Sequence, residues 1–162
     1  MDIDLSFIRS NLFLRSLEEY FDKLFQINKR IKGIILFGSI VRGDAIYSKE
    51  KMSDIDLIIV FFDKELPDDH KERTNLKLKL MSLTNLGIDS LWLTESEFKN
   101  LVNIKADIIM SALYEGKILF ELESFIKNQK NKLFEELREK GVKKRKDYWI
   151  WPIKNLGDEI EW

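Results

Sequence analysis

Hydrophobic residues are arranged in two ways along the chain, at helical spacing or in short unbroken runs, and this difference separates helices from strands. Between residues 10 and 29 they are spaced three to four apart, which predicts an amphipathic helix. The same spacing returns between Glu121 and Lys140, just before Gly141, a residue suited to end a helix. Short apolar runs bounded by glycine or aspartate instead predict buried strands. There are three of them, at Gly33–Gly38, Asp54–Phe62 and Gly87–Leu93.

The segments that connect these runs are long enough to hold helices. Residues 67–85 suit a crossover helix between strands, although three leucines there also alternate as in a strand. The sequence from Thr94 to Glu97 is that of a capping box, which opens the next helix. Residues 104–114 predict a further helix, and Lys117–Phe120 predicts a short extended piece. This order of elements describes an α/β sandwich with a small sheet.

Composition narrows the class of protein. The chain has 162 residues, of which 44% are hydrophobic and 34% charged, as expected for one folded domain of a cytoplasmic protein. It has no cysteine, which excludes disulfides and thiolate metal sites, and its single histidine excludes a multi-histidine zinc site. No apolar run approaches the roughly 18 residues of a membrane span, and the acidic N-terminus lacks the order of a signal peptide.

The net charge of −1 hides a basic segment near the C-terminus. Residues 127–146 hold nine basic and three acidic side chains, a local charge of +6 that leaves −7 for the rest. Such a segment either attracts phosphates or an acidic partner, or is the solvated face of a helix that runs into a loop. Beyond it, Tyr148–Pro152 and Ile160–Trp162 hold three of the four tryptophans. They predict either a terminal hairpin packed on the body or an exposed docking surface.

The first group with a chemical interpretation follows the first predicted strand and consists of Gly38, Ser39 and Arg42. Gly38 follows the first predicted strand and lets the backbone approach a ligand closely. Ser39 adds a hydroxyl at the start of a short helix, where free amides and the helix dipole favour a phosphate. Arg42 is either a donor to that phosphate or the ion-pair partner of an internal carboxylate.

Asp54 and Asp56 begin a second group. They stand two apart at the start of the second predicted strand, so both carboxylates leave the same face. A divalent cation relieves their repulsion, and a site made only of oxygen ligands favours Mg²⁺ or Mn²⁺. Asp89 is the acid inside the third strand, and it joins the pair if that strand lies beside the second. Three carboxylates can hold two Mg²⁺ ions, the arrangement used for in-line phosphoryl displacement.

Together these stretches resemble the DNA polymerase beta-like nucleotidyltransferase superfamily, in its minimal nucleotidyltransferase branch, over about residues 12–121. The resemblance rests on Gly38-Ser39 with Arg42-Gly43, on Ser53-Asp54-Ile55-Asp56-Leu57 and on Asn85-Leu86-Gly87-Ile88-Asp89. Residues 108–120 are also similar to the family's closing helix and strand. The resemblance implies an α/β (α+β) fold, with a small mixed β-sheet flanked by helices and then a C-terminal helix and a short extended tail.

The resemblance also implies a role for each of these residues. The nucleoside triphosphate would be bound by Gly38 and Ser39, and Arg42 is the further candidate for nucleotide binding, with the ion pair as its alternative. Catalysis and metal binding would fall to Asp54, Asp56 and Asp89. Asp89 would also help to deprotonate the acceptor hydroxyl. The reaction would move a nucleoside monophosphate, AMP from ATP, and release pyrophosphate, with Mg²⁺ or alternatively Mn²⁺ as the metal.

The sequence does not fix the acceptor. Small members of this branch act as antitoxins that adenylylate a tyrosine of a helical HEPN-type toxin, and the short chain leaves little room for a substrate domain. The alternatives are a free-standing adenylyltransferase of a small molecule or an RNA end, and an antitoxin that neutralises its partner by contact. A nucleic-acid partner is open but not favoured, and no membrane partner is expected. We expect residues 1–121 to form the nucleotidyltransferase domain and residues 122–162 a C-terminal helix with a basic, aromatic extension packed on it.

Overall fold

The computed structural model describes residues 3–46, 48, 53–81, 87–146 and 148–152. None of the helices in these ranges has both the length and the apolar character needed to span a membrane. In chain order the elements are α1 (Asn11–Gln26), β1 (Ile31–Phe37), α2 (Ser39–Arg42), β2 (Ile55–Phe61), α3 (His70–Met81), β3 (Ile88–Thr94), α4 (Glu95–Asn103), α5 (Asp107–Glu115), β4 (Lys117–Glu121), α6 (Phe125–Glu139), β5 (Lys143–Lys144) and β6 (Trp149–Ile150).

Four of the strands form one mixed sheet, in the order β3-β2-β1-β4. β1 runs antiparallel to both β2 and β4. β2 and β3 are parallel, and parallel neighbours need a crossover connection, to which α3 belongs. The expected fold, a small mixed sheet flanked by helices, is confirmed.

Helices cover both faces of this sheet. α1 and α3 pack on one face, against alternate residues of β2 such as Leu57 and Ile59. α4, α5 and α6 pack on the other face, against Ile58 and Val60. All four of these β2 side chains are 0% exposed. The unbroken apolar run of the second strand therefore reflects burial on both faces, as the sequence predicts.

Local sequence signals set the ends of two helices. At the start of α4, the N–H of Glu97 donates to Thr94 Oγ1 (3.2 Å) and the N–H of Thr94 donates to Glu97 Oε2 (2.8 Å), which completes the predicted capping box. At the end of α6, Gly141 has φ +70°, the left-handed conformation that stops many helices. Both predictions are confirmed.

Other helix predictions differ from the structure at their ends. The helix expected from Glu121 to Lys140 is α6, which begins only at Phe125 because Glu121 is the last residue of β4. The helix expected at residues 104–114 begins only at Asp107, because Lys105 has a φ of +55° and interrupts the helical backbone between α4 and α5. The crossover helix expected at residues 67–85 is α3, and residues 82–86 lie outside the described part of the chain.

The C-terminal tail folds back as a hairpin in which β5 pairs antiparallel with β6. Trp149 and Trp151 pack against the core on the side of α5 and α6, and the Trp149 ring stacks on Phe134 at a centroid distance of 6.1 Å. Tyr148 is 59% exposed. A hairpin packed on the body is thus confirmed as far as the tail is described, whereas residues 153–162 lie outside the described ranges.

Candidate active site

Three aspartates lie at one edge of the sheet, where β2 and β3 begin. Asp54 directly precedes β2, Asp56 is the second residue of β2, and Asp89 is the second residue of β3. The parallel register pairs Asp56 with Asp89, and the side chains of such a pair leave the same face of the sheet. The structure therefore brings the predicted carboxylates together, on the face that α4, α5 and α6 cover farther along the strands.

Asp56 is the most enclosed of the three. It is partly buried, whereas Asp54 and Asp89 are exposed. Burial first, and then the negative charges of Asp89 and Asp54, raise the pKa of the Asp56 carboxyl above its usual 3.8, and the positive charge of Arg42 opposes this shift. A partly buried carboxylate beside two other negative charges is a favourable place for a metal ion to bind.

The chain leaves β1 through a turn that only glycine fits. Gly38 has φ +74° and ψ −154°, a conformation almost confined to glycine. A Cβ atom built on Gly38 would also lie 2.9 Å from Cγ of Asp56, and closer still to its Oδ2. Glycine is therefore needed for two reasons at this position, the backbone conformation and the carboxylate beside it.

The short helix α2 follows this turn directly, with the partly buried Ser39 as its first residue. Arg42, its last residue, forms ion pairs with Asp44 (Nε to Oδ2, 3.2 Å) and with Glu115 at the end of α5 (Nη1 to Oε1, 2.8 Å). Its side chain is 46% exposed. Of the two interpretations of Arg42, the ion pair is present in the structure, and the phosphate contact stays a prediction.

Gly87 is a neighbour of the site that the sequence interpretation missed. It lies just before β3, and its carbonyl accepts a hydrogen bond from the N–H of Ile55 (2.9 Å), the residue after Asp54. A Cβ atom built on Gly87 would lie 3.4 Å from Cγ of Asp54 and nearer than 3.0 Å to its Oδ1. The sequence signal that could have pointed to it is a glycine two residues before the third acid, but its contact partner depends on strand pairing.

The donor set fits a hard divalent cation. Asp54, Asp56 and Asp89 offer only carboxylate oxygens, the ligands that Mg²⁺ and Mn²⁺ prefer. Their mutual repulsion, seen in the raised pKa of Asp56, is what such an ion relieves. Within the described ranges, no group of three or more His, Cys, Asp or Glu side chains is already arranged to hold a metal. The carboxylates thus have the right chemistry without forming a closed cage.

Comparison with known families identifies the type of domain. A family model described as polymerase beta, nucleotidyltransferase matches residues 19–125. The match begins in α1, ends at the start of α6 and includes all six predicted site residues. No curated protein matches the sequence.

Several solved structures are similar to this chain. A toxin-antitoxin with AMP-PNP is 22% identical, with a TM-score of 0.50 over 75% of this chain and 87% of that chain. The toxin-antitoxin MntA-HepT is 19% identical, with a TM-score of 0.47 over 78% of this chain and 86% of that chain. A structure from Shewanella oneidensis is also 19% identical, with a TM-score of 0.47 and coverages of 80% and 88%. At these identities the likeness concerns the fold.

Proposed function

The chain belongs to the polymerase beta nucleotidyltransferase family, and on that premise we propose that it transfers AMP from ATP to a hydroxyl group with Mg²⁺ as its metal. One observation carries the proposal: the parallel register sets Asp56 beside Asp89, with Asp54 at the edge of the same two strands. Neighbouring carboxylates beside a glycine turn are the groups that a metal-assisted displacement at phosphorus requires.

All three aspartates would bind the metal, and one of them would also accept a proton. Asp54, Asp56 and Asp89 would hold the metal, which when bound supplies charge neutralisation at the phosphates and at the attacking oxygen. In the reaction, the acceptor oxygen forms a bond to the α-phosphorus of ATP, the bond from that phosphorus to the bridging oxygen breaks, and pyrophosphate leaves. Asp89 would receive the proton of the acceptor hydroxyl, because its exposed position leaves it open to a substrate.

The turn after β1 would bind the triphosphate. Gly38 carries no Cβ, so a phosphate can approach the backbone, and no side chain in the described part of the chain caps the start of α2. Ser39 would add its hydroxyl. Arg42 would turn to a phosphate by leaving Asp44, an exposed ion pair of the kind that is worth only about 0–1 kcal/mol.

For the acceptor, we favour a tyrosine of a HEPN-type toxin. A toxin-antitoxin that was solved with AMP-PNP shares the fold of this chain, which supports both an ATP-like nucleotide and a protein partner. Basic residues in and beside the turn of the C-terminal hairpin favour an acidic partner. Lys143, Arg145 and Lys146 are exposed there, and none of them forms an ion pair with a residue of the described ranges.

Nucleotidyl transfer and partner binding would be carried out by two different parts of the chain. Residues 1–121 would carry out the transfer, and residues 122–162 would form the extension that meets the partner. α6 is nevertheless part of the folded body, because Leu133 and Leu137 are only 1% and 2% exposed in the core. Removal of the extension would therefore damage the fold, so its role has to be tested by changes on its surface.

A labelling experiment tests the proposed function. The full chain is mixed with Mg²⁺, ATP labelled on the α- or the γ-phosphate, and a helical HEPN-type toxin as the candidate acceptor protein. We expect label from the α-phosphate on a tyrosine of that protein and none from the γ-phosphate. Label from the γ-phosphate would indicate a kinase, and a stable complex without label would favour an antitoxin that acts by contact. Label in a small molecule or in RNA would favour the free-standing adenylyltransferase.

A further inference from the structure

We propose that Gly87 is a positioning residue of the metal site, which keeps the Asp54 carboxylate where a metal can use it. This inference rests on the proposed function, because it assumes that Asp54 is a metal ligand. It concerns a residue outside the glycine turn after β1, directly before the strand that carries Asp89. Its basis is the space that Gly87 leaves empty beside the Asp54 side chain.

Asp54 needs such a neighbour because it is the least constrained of the three aspartates. It lies before β2 begins and is exposed, so the strand ladder does not fix it as it fixes Asp56. The closest support comes from the neighbouring strand. The N–H of Ile55 donates to the carbonyl of Gly87 (2.9 Å), which extends the parallel pairing one step beyond the pair of Ile55 with Ile88. This bond holds the backbone of Gly87 against the backbone next to Asp54.

The backbone of Gly87 does not itself require glycine. Its φ lies outside the left-handed region, unlike that of Gly38, so an alanine could adopt the same conformation. Among the described residues other than its chain neighbours, the only atoms within 4 Å of an added Cβ are Oδ1 and Cγ of Asp54, and the Oδ1 contact would be closer than 3.0 Å. An alanine would therefore displace one group, the carboxylate of Asp54, and leave the fold intact.

This displacement should matter more for some ions than for others. Mg²⁺ demands near-ideal octahedral geometry with ligands at about 2.0–2.1 Å, whereas Ca²⁺ accepts flexible arrangements at about 2.3–2.6 Å. A carboxylate that has been pushed aside is a poor ligand for Mg²⁺ and a tolerable one for Ca²⁺. Glycine at position 87 would thus favour the smaller ion.

The experiment compares metal binding by four full-length proteins: wild type, Gly87→Ala, Asp54→Ala and the double variant. Mn²⁺ is titrated and the free ion is followed by electron paramagnetic resonance, and Mg²⁺ and Ca²⁺ are then measured by competition. We expect Gly87→Ala to weaken Mg²⁺ binding at least about tenfold, as removal of a group that orients a metal ligand commonly does. Ca²⁺ binding should fall less. The metal-free melting temperature of Gly87→Ala should equal or slightly exceed that of the wild type.

The double variant distinguishes a positioning role of Gly87 from a purely structural role. If Gly87 acts through Asp54, adding Gly87→Ala to Asp54→Ala changes metal binding no further. Wild-type Mg²⁺ affinity in Gly87→Ala, or an equal loss of affinity in the Asp54→Ala background, would overturn the inference. Wild-type metal binding by Asp54→Ala is a different result, since it would show that the proposed metal site itself is wrong.

Discussion

Replacement of Gly38 by alanine tests the glycine turn, because the added methyl group meets two obstacles at once. Gly38 has φ +74° and ψ −154°, a region that costs a residue with a side chain about 1–3 kcal/mol. In a domain of this size, a loss of about 2 kcal/mol lowers the melting temperature by roughly 4–8 °C. The second obstacle is the Asp56 carboxylate, whose Cγ would lie 2.9 Å from the new Cβ and must withdraw to about 3.4 Å for an ordinary contact.

A carboxylate that moves by half an ångström or more no longer matches the geometry that Mg²⁺ requires. A misplacement of about 1 Å at a reacting centre can cost about 100-fold in rate. We therefore expect Gly38→Ala to lose AMP transfer by at least about 30-fold when the assay is run well below its melting temperature. The assay measures transfer of label from the α-phosphate of ATP, beside a melting curve for each protein.

Gly141→Ala is the matched control. Gly141, at the end of α6, also has a positive φ, +70°. Among the described residues other than its chain neighbours, a Cβ there would meet only Pro152, at an ordinary 3.6 Å. This variant should lose about 1 kcal/mol of stability and keep its transfer rate. If Gly38→Ala transfers AMP as fast as Gly141→Ala while both are folded, the turn has no part in the site.

Three further predictions concern the carboxylates and the hairpin. In metal-free protein at neutral pH, Asp56→Asn should raise the melting temperature. Because the folded-state pKa of Asp56 lies above its usual 3.8, the wild type regains this stability as the pH falls through the folded-state pKa towards 3.8, and the melting temperatures of the two proteins should have converged by that pH. Asp89→Asn should lose AMP transfer while its calorimetric affinity for MgATP stays within a few-fold, and an equal loss of both would argue against a role at the acceptor. Replacing the basic residues 143–146 by serine should weaken binding of an acidic partner and reduce its salt dependence, whereas unchanged binding and salt dependence would mark a solvated turn.

Much of the fold could be predicted because its signals are local. Burial on both faces leaves an unbroken apolar run, which predicts β2 from its own residues alone. The capping box at Thr94 and the left-handed glycine at Gly141 are also local, since each depends on residues within one helical turn. The start of α5 was missed because Lys105 adopts a positive φ, which nothing in a run of helix-forming residues indicates.

The site could be predicted only as far as sequence neighbours define it. The spacing of Asp54 and Asp56 is visible in the sequence, but the place of Asp89 beside them follows from the pairing of β2 with β3. The contact of Gly87 with Asp54 depends on the same pairing. The ion pair of Arg42 with Glu115 joins residues 73 apart, and nothing in the sequence pattern connects them.

The most direct test of the central claim, that the carboxylates at the start of β2 hold the metal for nucleotidyl transfer, is the Mg²⁺ dependence of AMP transfer in Asp54→Asn and Asp56→Asn. With ATP labelled on the α-phosphate and Mg²⁺ raised from zero, we expect the wild type to transfer AMP only when metal is present. Each variant should lose at least about 100-fold at saturating Mg²⁺, a loss typical for removal of one electrostatic group from a reaction site, without a lower melting temperature. Metal-independent transfer by the wild type, or wild-type rates in either folded variant, would contradict the claim.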